Sequence, residues 1–400
     1  MSDGIVVVGA SLAGLRVAEA LRAGGYTGRL RLVGDEHRLP YDRPPLSKQV
    51  LTGEWEAART ALTTPAKLAE AGIETVLGAR AVAVDTEAVT LADGERLDYD
   101  QLVVATGAAA RTWPGAAPDG RVHRLRTLAD SVRLRTALAD GGPLVVVGGG
   151  FIGLEVAAAA RGADLDVTVV EAADTPLEPV LGPEIGACFT RLHRTQGVRV
   201  LTGVPITSVQ EAADTVAVRL ADGTELAAAH VVVGIGAKPN NDWLAGLGLD
   251  DTAGVPCDAR GRAGDRVWAL GDVARWEQPA YGDSARHEHW TTAVDQAAVV
   301  AAAVLGRESA RPPAPPYFWS MQYDVNFQLV GRPDLASSVK VLEAGEGGAD
   351  RGTVFAFTDS AGRRVAVAAF HNPRRFLRLR RELQEEFTTA PTSVPGHGGR

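Results

Sequence analysis

The chain opens on an unbroken β-branched run, Ile5-Val6-Val7-Val8. Runs of this kind mark strands buried on both faces of a parallel sheet. A tight glycine turn follows, then an amphipathic stretch of helical period, then a second apolar run closing on acid, so residues 4–36 read as strand, turn, helix, strand. The pattern returns at 144–171, with a strand over 144–147, a glycine turn, an alanine-rich helix and a strand over 167–170 that delivers Glu171. Such internal repetition is the most informative feature of the chain, and it predicts an α/β protein built on two like units.

The other segments fall around this pair. Residues 73–104 alternate as strands, the last of them buried and running into Ala105-Thr106-Gly107. From 198 to 236 strands recur, over 198–203, 215–224 and 230–236, and the last ends on Gly234-Ile235-Gly236. A short strand in 266–276 closes on Gly271-Asp272. Residues 287–305 read as a helix capped by Thr291 or Thr292, with 297–305 its packed, apolar end. The run RPPAPP, 311–316, is the clearest linker. Beyond it, the segments 318–331, SVKVLE, TVFAFTD and RRVAVAAFHN read as strands of a small antiparallel sheet, followed by a helix over 373–386 and a disordered tail.

The glycine turns carry the candidate chemistry. In Gly9-x-Ser11-x-x-Gly14 the first glycine allows the sharp bend and the last allows the helix to pack tightly on the strand. The helix N-terminus then offers free N–H groups and a positive dipole end to a pyrophosphate. Asp35 lies 21 residues beyond Gly14, where an acid can bond a ribose hydroxyl, while Ser11 stands where a middle glycine is usual. Gly148-x-Gly150-x-x-Gly153 repeats the design, with Glu171 placed 18 residues beyond Gly153. Two fingerprints of this quality imply two dinucleotide sites. Glu171 would accept from a ribose 2′-OH and repel a 2′-phosphate, and residues 172–176 contain no cation to hold one, so NAD is expected over NADP. The Ala105-Thr106-Gly107 and Gly234-Ile235-Gly236 turns would flank the two nucleotides, and Asp272 could bond a ribityl or ribose hydroxyl. Arg43 and Lys48, around the stiff Pro44-Pro45 pair, place two cations where a phosphate-bearing ligand would run.

Composition narrows the partners. The 400 residues suit two or three domains, and 46% hydrophobic with 22% charged is ordinary for a globular protein. A net charge of −8 argues against nucleic acid. No apolar run approaches the roughly 18–20 residues of a membrane helix, and a strand begins at once, leaving no room for a signal peptide. Only Cys188 and Cys257 are present, far apart, with no C-x-x-C and no zinc spacing, so buried thiols, no metal and a reducing, cytoplasmic setting are expected.

With these motifs in place, the sequence resembles the FAD-dependent, NADH-linked ferredoxin reductases of bacterial oxygenase and cytochrome P450 electron-transfer chains. YDRPPLSK (41–48), ATG, VVVGGGFIGLEVA (145–157), WALGD (268–272) and FWS…Q (318–322) carry the resemblance, in order, over nearly the whole chain. It implies a glutathione-reductase-like fold with two Rossmann-type dinucleotide domains and a small C-terminal α+β domain. The FAD domain would be 1–112 and 241–314, the NAD domain 113–240 and the antiparallel-sheet domain 315–388, with 389–400 a tail. On the FAD side the resemblance implies Gly9, Ala13 and Gly14 at the pyrophosphate, Asp35 at the adenosine ribose, and Arg43 and Lys48 at phosphate and flavin. It puts Val82 on the adenine side, Arg126 near the flavin half, Asp272 on the ribityl chain and the backbone around Trp290 at the pyrimidine edge. For NADH it points to Ile152, Glu155, Glu171, Gly234 and Glu288, with Trp319 packing near both rings. An arginine frequent a few residues after the Glu171 position is replaced by Thr175-Pro176.

The chemistry implied is hydride transfer from NADH to the flavin, then release of single electrons to a [2Fe–2S] ferredoxin. Lys48 would polarise the flavin near N5/O4, with Glu155 its ion-pair partner. A flavin disulfide reductase or NADH peroxidase would need a cysteine in 37–54, which holds none. An apoptosis-inducing-factor-like interaction protein fits the acidic balance poorly. An NADH:rubredoxin reductase, or another small-carrier reductase, is the remaining alternative. Arg374, Arg375, Arg378, Arg380 and Arg381 form either a solvated charged face or a basic patch that steers an acidic partner.

Overall fold

The computed structural model describes residues 3–117, 119–310, 314–345 and 350–389. Its first parallel sheet runs Val267–Ala269, Gln101–Val104, Ile5–Val8, Leu30–Gly34, Glu74–Leu77 from edge to edge. Ile5 pairs with Leu30 on one side and Gln101 on the other. The second sheet repeats the arrangement with Arg199–Leu201, Val167–Val170, Leu144–Val147, His230–Val233 and Val122–His123, Leu144 lying between Val167 and His230. All four residues of each central strand are buried, as double coverage by helices and loops requires. Helices Leu12–Ala23 and Phe151–Gly162 make the two crossovers, and the later helix Trp290–Val304 packs on the first of them.

The sheets are tied by a narrow two-stranded crossing, Ala108–Ala110 against Ala237–Pro239. At its mouth Thr106 Oγ1 donates to the Asn240 carbonyl (2.7 Å) and Asn240 Nδ2 donates back to that of Thr106 (3.0 Å). The chain thus leaves the first sheet, builds the second, and returns to contribute the edge strand Val267–Ala269. A third, antiparallel sheet follows in the order Tyr317–Gln322, Val325–Gly331, Arg364–Phe370, Val354–Thr358, Ser338–Glu343. Helix Pro373–Thr389 covers it, burying Phe376, Leu379 and Leu383 against Val330, Val354 and Val367. Phe327 and Phe370 of this sheet interlock with Phe189 of the second unit at ring separations of 5.0–5.1 Å, so the C-terminal domain is clamped on. Three buried aromatics bring large apolar area, of order 1.5–3 kcal/mol each.

Several elements differ from the sequence reading. The segment 318–331 is a hairpin of two strands, turning at Tyr323 with φ +54°. Residues 73–85 split at Gly78 between the parallel sheet and a separate antiparallel sheet. Strands Ile206–Glu211 and Glu225–Ala228 join Val216–Leu220 in a further small sheet. The helix read over 287–305 begins at Trp290, and its N-cap is His289 rather than a threonine. Thr291 instead donates its hydroxyl to the Tyr317 carbonyl at 2.5 Å, stitching the helix to the third sheet. Helix Pro373–Thr389 extends past 386. Residues 311–313 of the linker and 390–400 of the tail lie outside the described residues. Among the described residues no helix is long and apolar enough to cross a membrane.

Candidate active site: two nucleotide clefts joined by an ion pair

The first cleft opens at the carboxyl end of the Ile5–Val8 strand, where ligands of open α/β sheets bind. It is lined by Gly9, Ser11, Asp35, Glu36, Arg43 and Thr106, among others. Gly9 has φ +122°, and a Cβ there would lie 2.1 Å from the Ala105 carbonyl oxygen; one on Gly14 would lie 2.0 Å from that of Gly9. Only glycine lets the turn, the helix and the Ala105–Gly107 loop converge this closely. Ser11 is the helix N-cap with extended backbone, and its hydroxyl receives Arg43 Nε at 3.3 Å instead of capping. Asp35 stands exposed at the rim. The neighbouring Glu36, which no sequence motif singles out, accepts from Tyr41 Oη (2.8 Å) and Arg43 Nη2 (3.1 Å). Arg43 is thereby aimed along the cleft floor, its Nη1 donating to the Arg126 carbonyl at 2.6 Å.

Further along, Arg126 and Asp272, each expected to touch the cofactor, meet one another at 2.7 Å. Gly271 (φ +73°) brings the Asp272 backbone against Ala13, since a Cβ on it would sit 3.1 Å from the Ala13 methyl. Its N–H donates to Gln296 Oε1 at 2.8 Å. Trp290, the first residue of its helix, donates Nε1–H to Asp42 Oδ1 at 2.8 Å, and burial pushes the Asp42 carboxyl above its usual range despite that bond. Glu288 is exposed and paired with Arg286 at 2.5 Å. Val82 stands 46% exposed on the strand Ala81–Val84, outside the parallel sheet that forms the cleft.

The second cleft repeats the glycine logic. Gly148 has φ +97°, and a Cβ there would lie 2.5 Å from the Gly234 carbonyl oxygen, as would one on Gly153 from that of Gly148. Gly150 is the helix N-cap. Ile152, 46% exposed, and Ile235, 40% exposed, stand at the mouth. Glu171 accepts from the Gly149 N–H (2.6 Å) and the Ala173 N–H (2.9 Å), which fixes the carboxylate at the strand end and leaves lone pairs outward.

An ion pair joins the two units near their glycine turns. Lys48 Nζ is 2.6 Å from Glu155 Oε2, with side chains 17% and 4% exposed. Ser47 Oγ donates to the same oxygen at 2.5 Å, Ser320 Oγ to the other at 2.7 Å. Lys48 also donates to the Pro44 carbonyl at 3.1 Å, so the rigid Pro44–Ser47 turn sets its reach. Trp319, next in sequence to Ser320, lies edge-on to Trp290 at 6.1 Å and stacked on Tyr317 at 6.0 Å. Ser47 and Ser320 were not foreseen: a lone serine carries no signal until three segments meet around it.

Both thiols are buried, and burial pushes each up to about 12, so neither is available as a thiolate. Among the described residues no group of three or more His, Cys, Asp or Glu could hold a metal ion.

Two glycine-cradled nucleotide clefts, hinged at one crossing and closed by a third, antiparallel domain, define a glutathione-reductase-like oxidoreductase. The chain belongs to the pyridine nucleotide-disulphide oxidoreductase family, whose model matches residues 3–297, and a reductase C-terminal model matches 317–395. It is 38% identical over 391 residues to the ferredoxin–NAD(+) reductase component of the p-cumate 2,3-dioxygenase system of Pseudomonas putida, covering 97% of this chain and 94% of that one. It is 39% identical to putidaredoxin reductase CamA of the same organism, covering 82% and 80%. Among solved structures, the covalent putidaredoxin reductase–putidaredoxin complex superposes with a TM-score of 0.89 at 35% identity, covering 96% and 93%.

Proposed function

We propose that this chain is an FAD-dependent reductase that takes electrons from NADH and passes them singly to a [2Fe–2S] ferredoxin serving an oxygenase or cytochrome P450. The observation that carries this reading is the Lys48–Glu155 pair, which at 2.6 Å joins the Pro44–Ser47 turn of the first unit to the Phe151–Gly162 helix that follows the second glycine turn. The named relatives, both ferredoxin-coupled or putidaredoxin-coupled, favour this acceptor over rubredoxin. The first cleft suits FAD: backbone meets backbone where a side chain would collide, a helix N-terminus faces the pyrophosphate position, and Arg43 adds a cation. The N-terminus of helix Trp290–Val304 offers its dipole to a ring that gains negative charge. When bound, the isoalloxazine supplies the exchange between two-electron and one-electron chemistry.

The protein's part is placement and charge. Gly9, Ser11, Ala13, Gly14, Asp35, Arg43, Val82, Ala105, Thr106, Gly107, Arg126, Gly271, Asp272 and Trp290 would hold FAD. Gly148, Gly150, Ile152, Gly153, Glu171, Gly234 and Glu288 would hold NADH, with Trp319 excluding water where the rings meet. Glu171 presents a fixed carboxylate to a 2′-OH, which favours NADH over NADPH. Lys48 polarises the flavin edge, and Glu155 tethers Lys48. The unit division is 1–112 with 241–314 for FAD, 113–240 for NADH and 315–388 for the closing domain. Two buried, protonated thiols suit the reducing cytoplasm.

Anaerobic titration with NADH tests the reading: the purified yellow protein should bleach stoichiometrically and recolour on addition of oxidised [2Fe–2S] ferredoxin. Lys48→Ala should slow the bleaching by about tenfold or more, each 1.4 kcal/mol of lost barrier lowering being tenfold. Protein that binds no FAD, or a flavin that NADH leaves oxidised, overturns it. Faster turnover with rubredoxin than with ferredoxin would change the acceptor alone.

A further inference from the structure

Behind Glu155 runs a buried line of side chains that neither cleft uses. Ser320 Oγ, which donates to Glu155, accepts from Gln322 Nε2 at 3.1 Å. Gln322 Oε1 lies 2.8 Å from His193 Nε2, and His193 Nδ1 lies 3.0 Å from Tyr323 Oη. Glu155, Ser320, Gln322 and His193 are all at most 4% exposed. The line crosses folding units: Glu155 and His193 sit on helices of the second, Ser320 and Gln322 on alternate positions of one strand of the third.

Its direction is forced. An amide oxygen only accepts, so His193 Nε2 must carry the proton. Burial holds His193 neutral, its pKa lowered to about 4, so Nδ1 is an acceptor and Tyr323 donates to it. Every hydrogen bond therefore points the same way: Tyr323 to His193, His193 to Gln322, Gln322 to Ser320, Ser320 to Glu155. Aligned bonds polarise one another in a low-dielectric interior, and the positive end of each faces the carboxylate.

We propose that Gln322 and His193 are positioning residues for the redox site, acting through Ser320 to set how tightly Glu155 holds Lys48. The inference rests on the reading of Lys48 as the cation at the flavin. With the line intact, part of the Glu155 charge is compensated from behind and Lys48 is left free to act on the cofactor edge. With it cut, the less compensated carboxylate draws Lys48 back.

The test is Gln322→Leu, made in the holoenzyme with and without Lys48→Ala, followed by anaerobic stopped-flow reduction with NADH and by the flavin midpoint potential. Gln322→Leu should slow flavin reduction by roughly three- to tenfold, the scale of one hydrogen bond between neutral groups, and move the potential to a more negative value. In the Lys48→Ala background it should change neither. Gln322→Met, which keeps the length of the side chain but has no N–H to give Ser320, should behave like Gln322→Leu, so a folding defect peculiar to leucine is told apart. Equal effects in both backgrounds, or a lowered melting temperature with rate and potential unmoved, would overturn the proposal. A silent Lys48→Ala would instead overturn the role of Lys48 on which it stands.

Discussion

A methyl group added at Gly14 would press to 2.0 Å from the Gly9 carbonyl oxygen, and one at Gly153 to 2.5 Å from that of Gly148. Neither neighbour can give way, because each is backbone held between a strand and a helix. Overpacking of this kind costs about 1–3 kcal/mol, and the turn that shifts is the one that meets a pyrophosphate. The two sites should therefore separate by mutation. Gly14→Ala is expected to purify with little yellow colour and regain it only at FAD concentrations raised by roughly tenfold or more. Gly153→Ala should keep its colour while KM for NADH rises by about the same factor, on the rule that 1.4 kcal/mol is tenfold in binding. Loss of colour in Gly153→Ala would contradict the assignment of the second cleft. These glycines were legible in the sequence because a spacing of fixed residues around a strand is a local pattern. Glu36, Ser47 and Ser320 were not, since their meaning comes from partners the fold brings up, Arg43 for Glu36 and Glu155 for both serines.

Among elements, the hairpin at 317–331 shows why a strand boundary was hidden. Its turn uses Tyr323 at positive φ and Asp324, with neither glycine nor proline to announce it, and the alternation of polar and apolar positions continues through it. The third sheet is locked to the first unit beside this hairpin by Arg332. Only 4% exposed, Arg332 donates to Asp283 (2.8 Å), Asp334 (2.6 Å) and Gln278 (2.9 Å). Arg332→Ala removes a buried guanidinium while both carboxylates stay open to water, so a loss of about 1–2 kcal/mol is expected, well below the range for a fully buried pair. Urea denaturation should register it as a lower midpoint; an unchanged midpoint would mean the clamp is held by the phenylalanine cluster alone. Helix Pro373–Thr389 presents Arg374, Arg378 and Arg381 outward, while Arg380 lies over the Tyr317 ring at 4.2 Å, next to Trp319. If this face steers an acidic ferredoxin, kcat/KM for ferredoxin should fall steeply with salt, and Arg374→Glu with Arg378→Glu and Arg381→Glu should lower it by about tenfold at low ionic strength while the rate of flavin reduction by NADH stays the same. A salt-independent kcat/KM would leave the helix as a solvated cover for the third sheet.

At the scale of the whole molecule, the doubled βαβ unit makes the architecture readable in the sequence, because two buried strands and two glycine turns can be satisfied only by two covered parallel sheets. What the pattern did not convey is how many neutral imidazoles the interior carries. His193 is fully enclosed, and burial lowers its pKa to about 4. His123, 3% exposed at the edge of the second sheet, is lowered to about 4 by burial first and then by the facing His230, whose Nδ1 is 3.1 Å from its Nε2. Arg121, Arg133 and Asp130 are the other charges felt there, and the two arginines add to the depression. In the unfolded chain both histidines titrate near the ordinary value of about 6.5. The folded state therefore binds fewer protons than the unfolded state between about 4 and 6.5, and stability must rise with pH across that window. Above it the two groups are neutral in both states and cost nothing. At pH 5 each should remove about 2 kcal/mol by linkage, before the carboxylates begin to contribute. Melting temperature is expected to be level from pH 7 to 8 and to fall by several degrees by pH 5. In His123→Gln, which keeps a hydrogen-bonding group toward His230 but cannot titrate, the fall should be visibly shallower. A wild-type protein that melts at the same temperature at pH 5 and pH 7 would show that these imidazoles reach solvent before the fold gives way.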